Sequence, residues 1–209
     1  MSSLSVYPGA PRTPTTREVH TRTSSKLWAH LDSLGIHARP DLRVQMLSIP
    51  DRQPWAADLD ALFEWDEYHY QWWDAEADES RIIASCGTMN PEWGEDPATH
   101  GLPFTLARID DPAVVEQARV RGRYWRIQYV APQPPLARLV YGCLASALAE
   151  LTSGVLFTTD HVWDHERFPA RPAAFDQWYL RPDQTQQAFL RTRALETQRD
   201  LRAAFQGQD

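Results

Sequence analysis

Hydrophobic and polar positions along the 209-residue chain change period several times, and each change marks an element. The most regular stripe is Leu136, Leu139, Val140, Cys143, Leu144, Ala147, Leu148 and Leu151, apolar at i, i+3, i+4 and i+7. It predicts a helix opened by Pro134-Pro135 and closed by Gly154. Leu27, Trp28, Leu31 and Leu34 repeat at the same spacing and predict a shorter helix over 24–34, capped by Ser24 or Ser25 and ended by Gly35. Asp111-Pro112, an acid cap followed by proline at the first helical position, predicts a third helix to about Arg121. Asp183 and Gln186, spaced as a capping pair, open a final helix to about Gln206. Its stripe is thin (Leu190, Ala194, Leu201, Phe205), so it belongs on the surface of the body.

Period-two alternation supplies the strands. Arg123–Val130 alternates Tyr124, Arg126 and Gln128 against Trp125, Ile127 and Tyr129. Arg43–Ile49, Arg81–Ser85, Phe104–Ile109 and Val155–Thr158 read as further strands, with a loop rich in proline and glycine over 87–101. Residues 51–79 are ambiguous. Leu59, Leu62, Phe63, Tyr70 and Trp73 fit a helical stripe, whereas Phe63/Trp65 and Tyr68/Tyr70/Trp72 fit two strand pieces. Helix is preferred, because β-branched residues are absent there and Asp and Glu are depleted in strands. Residues 1–23, with Pro8, Pro11 and Pro14 among Ser, Thr and Arg, read as an extended N-terminal arm before a single domain over 24–209. The predicted class is α+β: a mixed or antiparallel sheet of about five strands covered by helices, with a C-terminal surface helix. The strand–helix–strand unit over 123–158 is a crossover connection.

Composition narrows the function more by exclusion than by motif. No apolar run is long enough for a spanning helix, so no membrane is expected as a partner. Two cysteines cannot build a disulfide scaffold, and the N-terminal residues lack the apolar core of a secretory signal, which points to the cytoplasm. Phosphate-binding glycine loops, HExxH, GxSxG and CxxC are all missing, so no cofactor is expected.

Charge is where the sequence departs from an ordinary soluble domain. Formal net charge is −7, and nine acids fall between Gln53 and Ser80 with no Lys or Arg among them. Setting those nine aside leaves 19 of the 28 acids against 21 bases, so the acidity is local. Such a surface repels nucleic acid and attracts a basic protein. Seven aromatics, Trp55 through Trp73, interleave with the acids, and Trp and Tyr dominate interface hot spots. The expected partner-binding residues are Asp58, Glu64, Trp65, Asp66, Glu67, Tyr68, Tyr70, Trp72 and Asp74. The competing reading is that the aromatics pack inward and the acids form a solvated face.

Catalytic alternatives are thinner. His161, Asp164 and His165, with Glu166 beside them, would place two imidazoles one turn apart if helical, the start of a metal site for a metal-dependent hydrolase. Cys86, at a strand end before Gly87, is where a nucleophilic thiol would be displayed. Cys143 lies on an apolar stripe and reads as core. His69, between Tyr68 and Tyr70, reads as a packing residue.

The C-terminal part, about 136–182, carries a pattern of its own. A helix ends in Leu151, Thr152 and Gly154, a short strand follows, and then come Trp163-Asp164, Phe168-Pro169 and Trp178-Tyr179. This is similar to small bacterial α/β proteins of the toxin-immunity type, several of which are encoded beside toxins. None of the matching residues is catalytic in type. The resemblance implies a non-enzymatic protein that binds and neutralises a cognate toxin.

Overall fold

The chain enters the sheet at once: Ser2–Tyr7 is strand β1, hydrogen-bonded on both sides. The computed structural model describes residues 2–48, 51–71, 82–88, 108–129, 134–158 and 165–206. Among them, helix α1 (Thr16–Ser33), β2 (Arg43–Leu47), β3 (Pro54–Ala56), β4 (Tyr68–Gln71) and β5 (Ile82–Thr88) follow β1 in order. Then come α2 (Pro112–Arg121), β6 (Arg123–Tyr129), α3 (Pro135–Leu151), β7 (Val155–Phe157), α4 (Pro172–Trp178) and α5 (Ala188–Phe205). The sheet runs β3-β2-β4-β5-β6-β1-β7, seven strands rather than about five, with each neighbouring pair antiparallel. The class is α+β, with a C-terminal helix.

Register puts the apolar residues on one face. Leu4 pairs with Ile127, Val6 with Trp125 and with Leu156, Ala84 with Ile127, and Tyr68 with Ala84; all of these are buried. On the opposite face Ser5 and Arg126 pair with each other, and Arg126 is exposed. Helices α1 and α3 cover the apolar face. α3 touches four of the strands and three other helices, so residues on every side of it are buried. Because β6 and β7 both run antiparallel to β1, they run parallel to each other, and α3 is the crossover between them.

Four expectations are corrected. The arm over 1–23 does not exist as such: β1 lies inside the sheet and α1 starts at Thr16, not near Ser24. The three prolines mark the connection between the two elements. Its end is written in the sequence as a capping box, with Thr15 accepting from the Glu18 amide and Glu18 from the Thr15 amide. The helix expected over 51–79 is instead β3, a loop and β4, with 72–79 outside the described residues. Pairing of β4 on both sides, to β2 and β5, outweighs its modest strand propensity. The last helix starts at Ala188: the Asp183 carboxylate accepts from the Gln184 side chain instead of capping, and the Gln184 amide and Thr185 hydroxyl donate to the Arg181 carbonyl in a turn. Of the strand expected at 104–109, Arg108 and Ile109 are not strand, and 104–107 lie outside the described residues. α4 was not expected, although Pro172 at its start is an ordinary opening signal.

Candidate functional site

The loop between β3 and β4 holds its shape with almost no ladder of its own. α1 leaves its first amides without intrahelical acceptors, and the loop supplies them: Thr16 donates to the Ala61 carbonyl at 2.9 Å and Arg17 to the Leu59 carbonyl at 2.7 Å. In return the Phe63 amide donates to the Pro14 carbonyl at 2.8 Å. Phe63 is buried and stacks on Tyr68 at 4.0 Å between ring centroids, while Trp125 Nε1 donates to the Phe63 carbonyl at 2.8 Å. The Tyr68 hydroxyl donates to the Leu62 carbonyl and accepts from the Trp65 amide. Neighbours fixed in this way pin the backbone and leave other side chains facing out.

Three large apolar side chains of this region stay exposed. Trp55 is 60% exposed, Leu62 52% and Trp65 38%. All three residues of β3, at the end of the strand order, are exposed. Trp55 faces Met46 in the β2–β3 register, and the Trp65 indole donates to the carbonyl of the next residue, Leu47, at 2.7 Å. The two indoles therefore flank the same short stretch of β2. Pro54 removes one backbone donor from the edge, which disfavours addition of another strand and leaves side chains to do the recognition.

The acids of this segment divide into two groups. Asp60 pairs with Arg17 at 2.9 Å, Glu64 with Arg123, and Glu67 with Arg52 at 2.7 Å. Glu67 is buried, and its same oxygen lies 2.6 Å from Nε2 of the buried His69. The hydrogen bond and charge of Arg17 hold the Asp60 carboxyl below its ordinary value. Asp58 and Asp66 are exposed, and no basic side chain among the described residues pairs with either. Asp51 is exposed too and accepts from the Ser48 hydroxyl.

Of the expected partner-binding residues, Asp58, Trp65 and Asp66 are exposed. Tyr68 and Glu67 are corrected: both are buried, Tyr68 as the aromatic floor of the loop and Glu67 as the anchor of Arg52 and His69. Glu64 is half-buried in its ion pair, and Tyr70 is a strand residue paired with Val44 and Ile82. Trp72 and Asp74 lie outside the described residues. Trp55 and Leu62 were missing from the expected set. Nothing in their own spacing marks them out: Trp55 is exposed in β3, the last strand, and Leu62 lies in the loop that follows.

The catalytic alternatives gain little from the structure. Burial pushes the Cys86 thiol up to about 11, which leaves it protonated at neutral pH and a poor nucleophile. Cys143 is buried in α3, and its thiol is pushed up further. His161 and Asp164 lie outside the described residues, and His165 opens a 3-10 turn, His165–Arg167, in which Glu166 is exposed. Among the described residues no group of three or more His, Cys, Asp or Glu is placed to hold a metal ion. None of their helices is long and apolar enough to cross a membrane. No protein-family model, no curated protein and no solved structure matches the chain.

Proposed function

We propose that the chain is a non-enzymatic binding protein that docks a basic protein partner through the β3 border of its sheet. The observation that carries this reading is the exposure of Trp55 and Trp65 beside the same stretch of β2, on a backbone pinned from behind. Covering the exposed parts of two indoles removes about 200 Å² from water, worth about 5 kcal/mol before the cost of association. That is hot-spot scale. Asp51, Asp58 and Asp66, exposed in the same segment, supply the charge that steers a cationic surface.

The resemblance of residues 136–182 to toxin-immunity proteins gives the partner a role. On this reading it is a toxin domain, and occupation of its cationic groove, as in a nuclease, neutralises it. The matching residues belong to the scaffold, and the docking surface lies in the other half of the chain.

The test uses two baits, the native chain and Trp55→Ser/Trp65→Ser, in lysate of the source cells at low ionic strength. A stoichiometric basic protein retained by the first and lost by the folded second supports the proposal. Equal retention by both baits refutes the surface, and hydrolytic turnover by the purified chain refutes the class.

A further inference from the structure

Between α1, α3 and α4 lies a cavity of about 140 Å³, far from the surface just described in the chain and unconnected with that proposal. Lys26, His30, Cys143, Asp176, Tyr179 and Arg181 line it. At about 30 Å³ per liquid water it has room for four or five water volumes, hence a ligand of a few heavy atoms. Its walls are of two kinds. The Phe175 and Tyr179 rings, stacked at 4.6 Å between centroids, form an apolar side, and Gly142 permits it: a Cβ there would meet the Tyr179 ring at 2.1 Å.

The polar side is out of balance. Lys26 Nζ, nine-tenths buried, bonds Asp176 at 2.5 Å and Glu150 at 2.8 Å, and Asp176 also accepts from the Ser146 hydroxyl at 2.6 Å. Among the described residues no carboxylate pairs with the Arg181 guanidinium. Lys26 thus has two carboxylates, and Arg181 is the lining cation without one among the described residues. His30 is 9% exposed, and its buried Nε2 has no hydrogen-bond partner, a condition that costs about 1–3 kcal/mol. Burial first, and the charge of Arg181 second, hold its pKa down to about 3, so the ring is neutral.

We infer that this cavity is a binding site for a small carboxylate, its head held between Arg181 and His30 and its short aliphatic tail against Phe175 and Tyr179. A planar carboxylate matches the guanidinium fork, and its charge gives Arg181 the counterion it lacks among the described residues. A small turn of the imidazole gives it a hydrogen bond to the ligand. Asp176, partly exposed at the rim, marks the way in.

Propionate is the probe, with propionamide as its uncharged counterpart. Native chain and Arg181→Gln are titrated while the imidazole ¹⁵N shifts of His30 and the melting temperature are followed. Binding predicts a saturable shift, a raised His30 pKa and a higher melting temperature with propionate only, each weakened about 10-fold or more in Arg181→Gln. A folded native chain that shows no saturable shift at tens of millimolar overturns the inference. So does an equal response to propionamide or in Arg181→Gln, since either means the carboxylate is not recognised.

Discussion

At the scale of single residues, two buried groups set measurable consequences. His30 is neutral in the folded chain down to about pH 3, against an ordinary value of 6.5. Above pH 6.5 neither state holds the extra proton, so the residue is indifferent there. Below it the unfolded chain binds a proton that the folded chain refuses, and stability falls by about 1.4 kcal/mol per pH unit until about pH 3. Urea unfolding between pH 7 and 4 should therefore show a shallower decline for His30→Gln than for the native chain; parallel curves would mean that the ring protonates in place. Gly142 is the second. Gly142→Val should cost about 3 kcal/mol or more, because the Tyr179 ring it strikes is itself buried and hydrogen-bonded to the Arg138 carbonyl. Chemical denaturation measures it. Both positions were opaque in sequence: His30 falls beside an apolar stripe and Gly142 inside one, and only the docking of α4 shows what each faces.

At the scale of elements, the start of α1 joins local sequence to long-range structure. Thr15 and Glu18 form a capping box that the sequence spells out, yet the carbonyls that take the next two amides come from Leu59 and Ala61. Thr15→Ala should cost about 1 kcal/mol. It should also raise amide exchange at Phe63, whose own bond is to Pro14; exchange confined to α1 would show that the two segments are not coupled. Helices with a strong stripe or a proline start, α2 and α3, were legible from the chain alone, as was β6 from its alternation. The loop before β4 was not. Its aromatic spacing fits a helix as well as a strand, and the choice is made by partners dozens of residues away. β1 was obscured by the prolines behind it, although Leu4 and Val6 alternate with Ser3 and Ser5.

At the scale of the whole molecule, the sheet divides its labour between its two ends. β1 sits second from one end with buried neighbours on both sides, so deleting residues 2–7 should leave no cooperative unfolding transition; a two-state melt of the truncated chain would contradict its place in the core. The other end is β3, bare of cover among the described residues and carrying the exposed Trp55. The charge asymmetry that drew attention to this region survives only in part, because Arg17 and Arg123 from elsewhere in the chain, and Arg52 at the border of the acidic stretch, neutralise three of its acids. Sequence spacing cannot show such pairing. In the proposed docking the aromatic residues are therefore the principal determinant and the acids Asp58 and Asp66 a steering field.

The most direct measurement is calorimetric titration of the captured partner into the native chain, Trp55→Ser/Trp65→Ser and Asp58→Lys/Asp66→Lys, at low and high salt. Docking at the β3 border predicts a 1:1 complex, about 100-fold weaker without the indoles at either salt. With the acids reversed it predicts about 10-fold weaker binding at low salt only. Equal affinities for all three folded proteins would place the partner elsewhere on the molecule and contradict the role assigned to this edge.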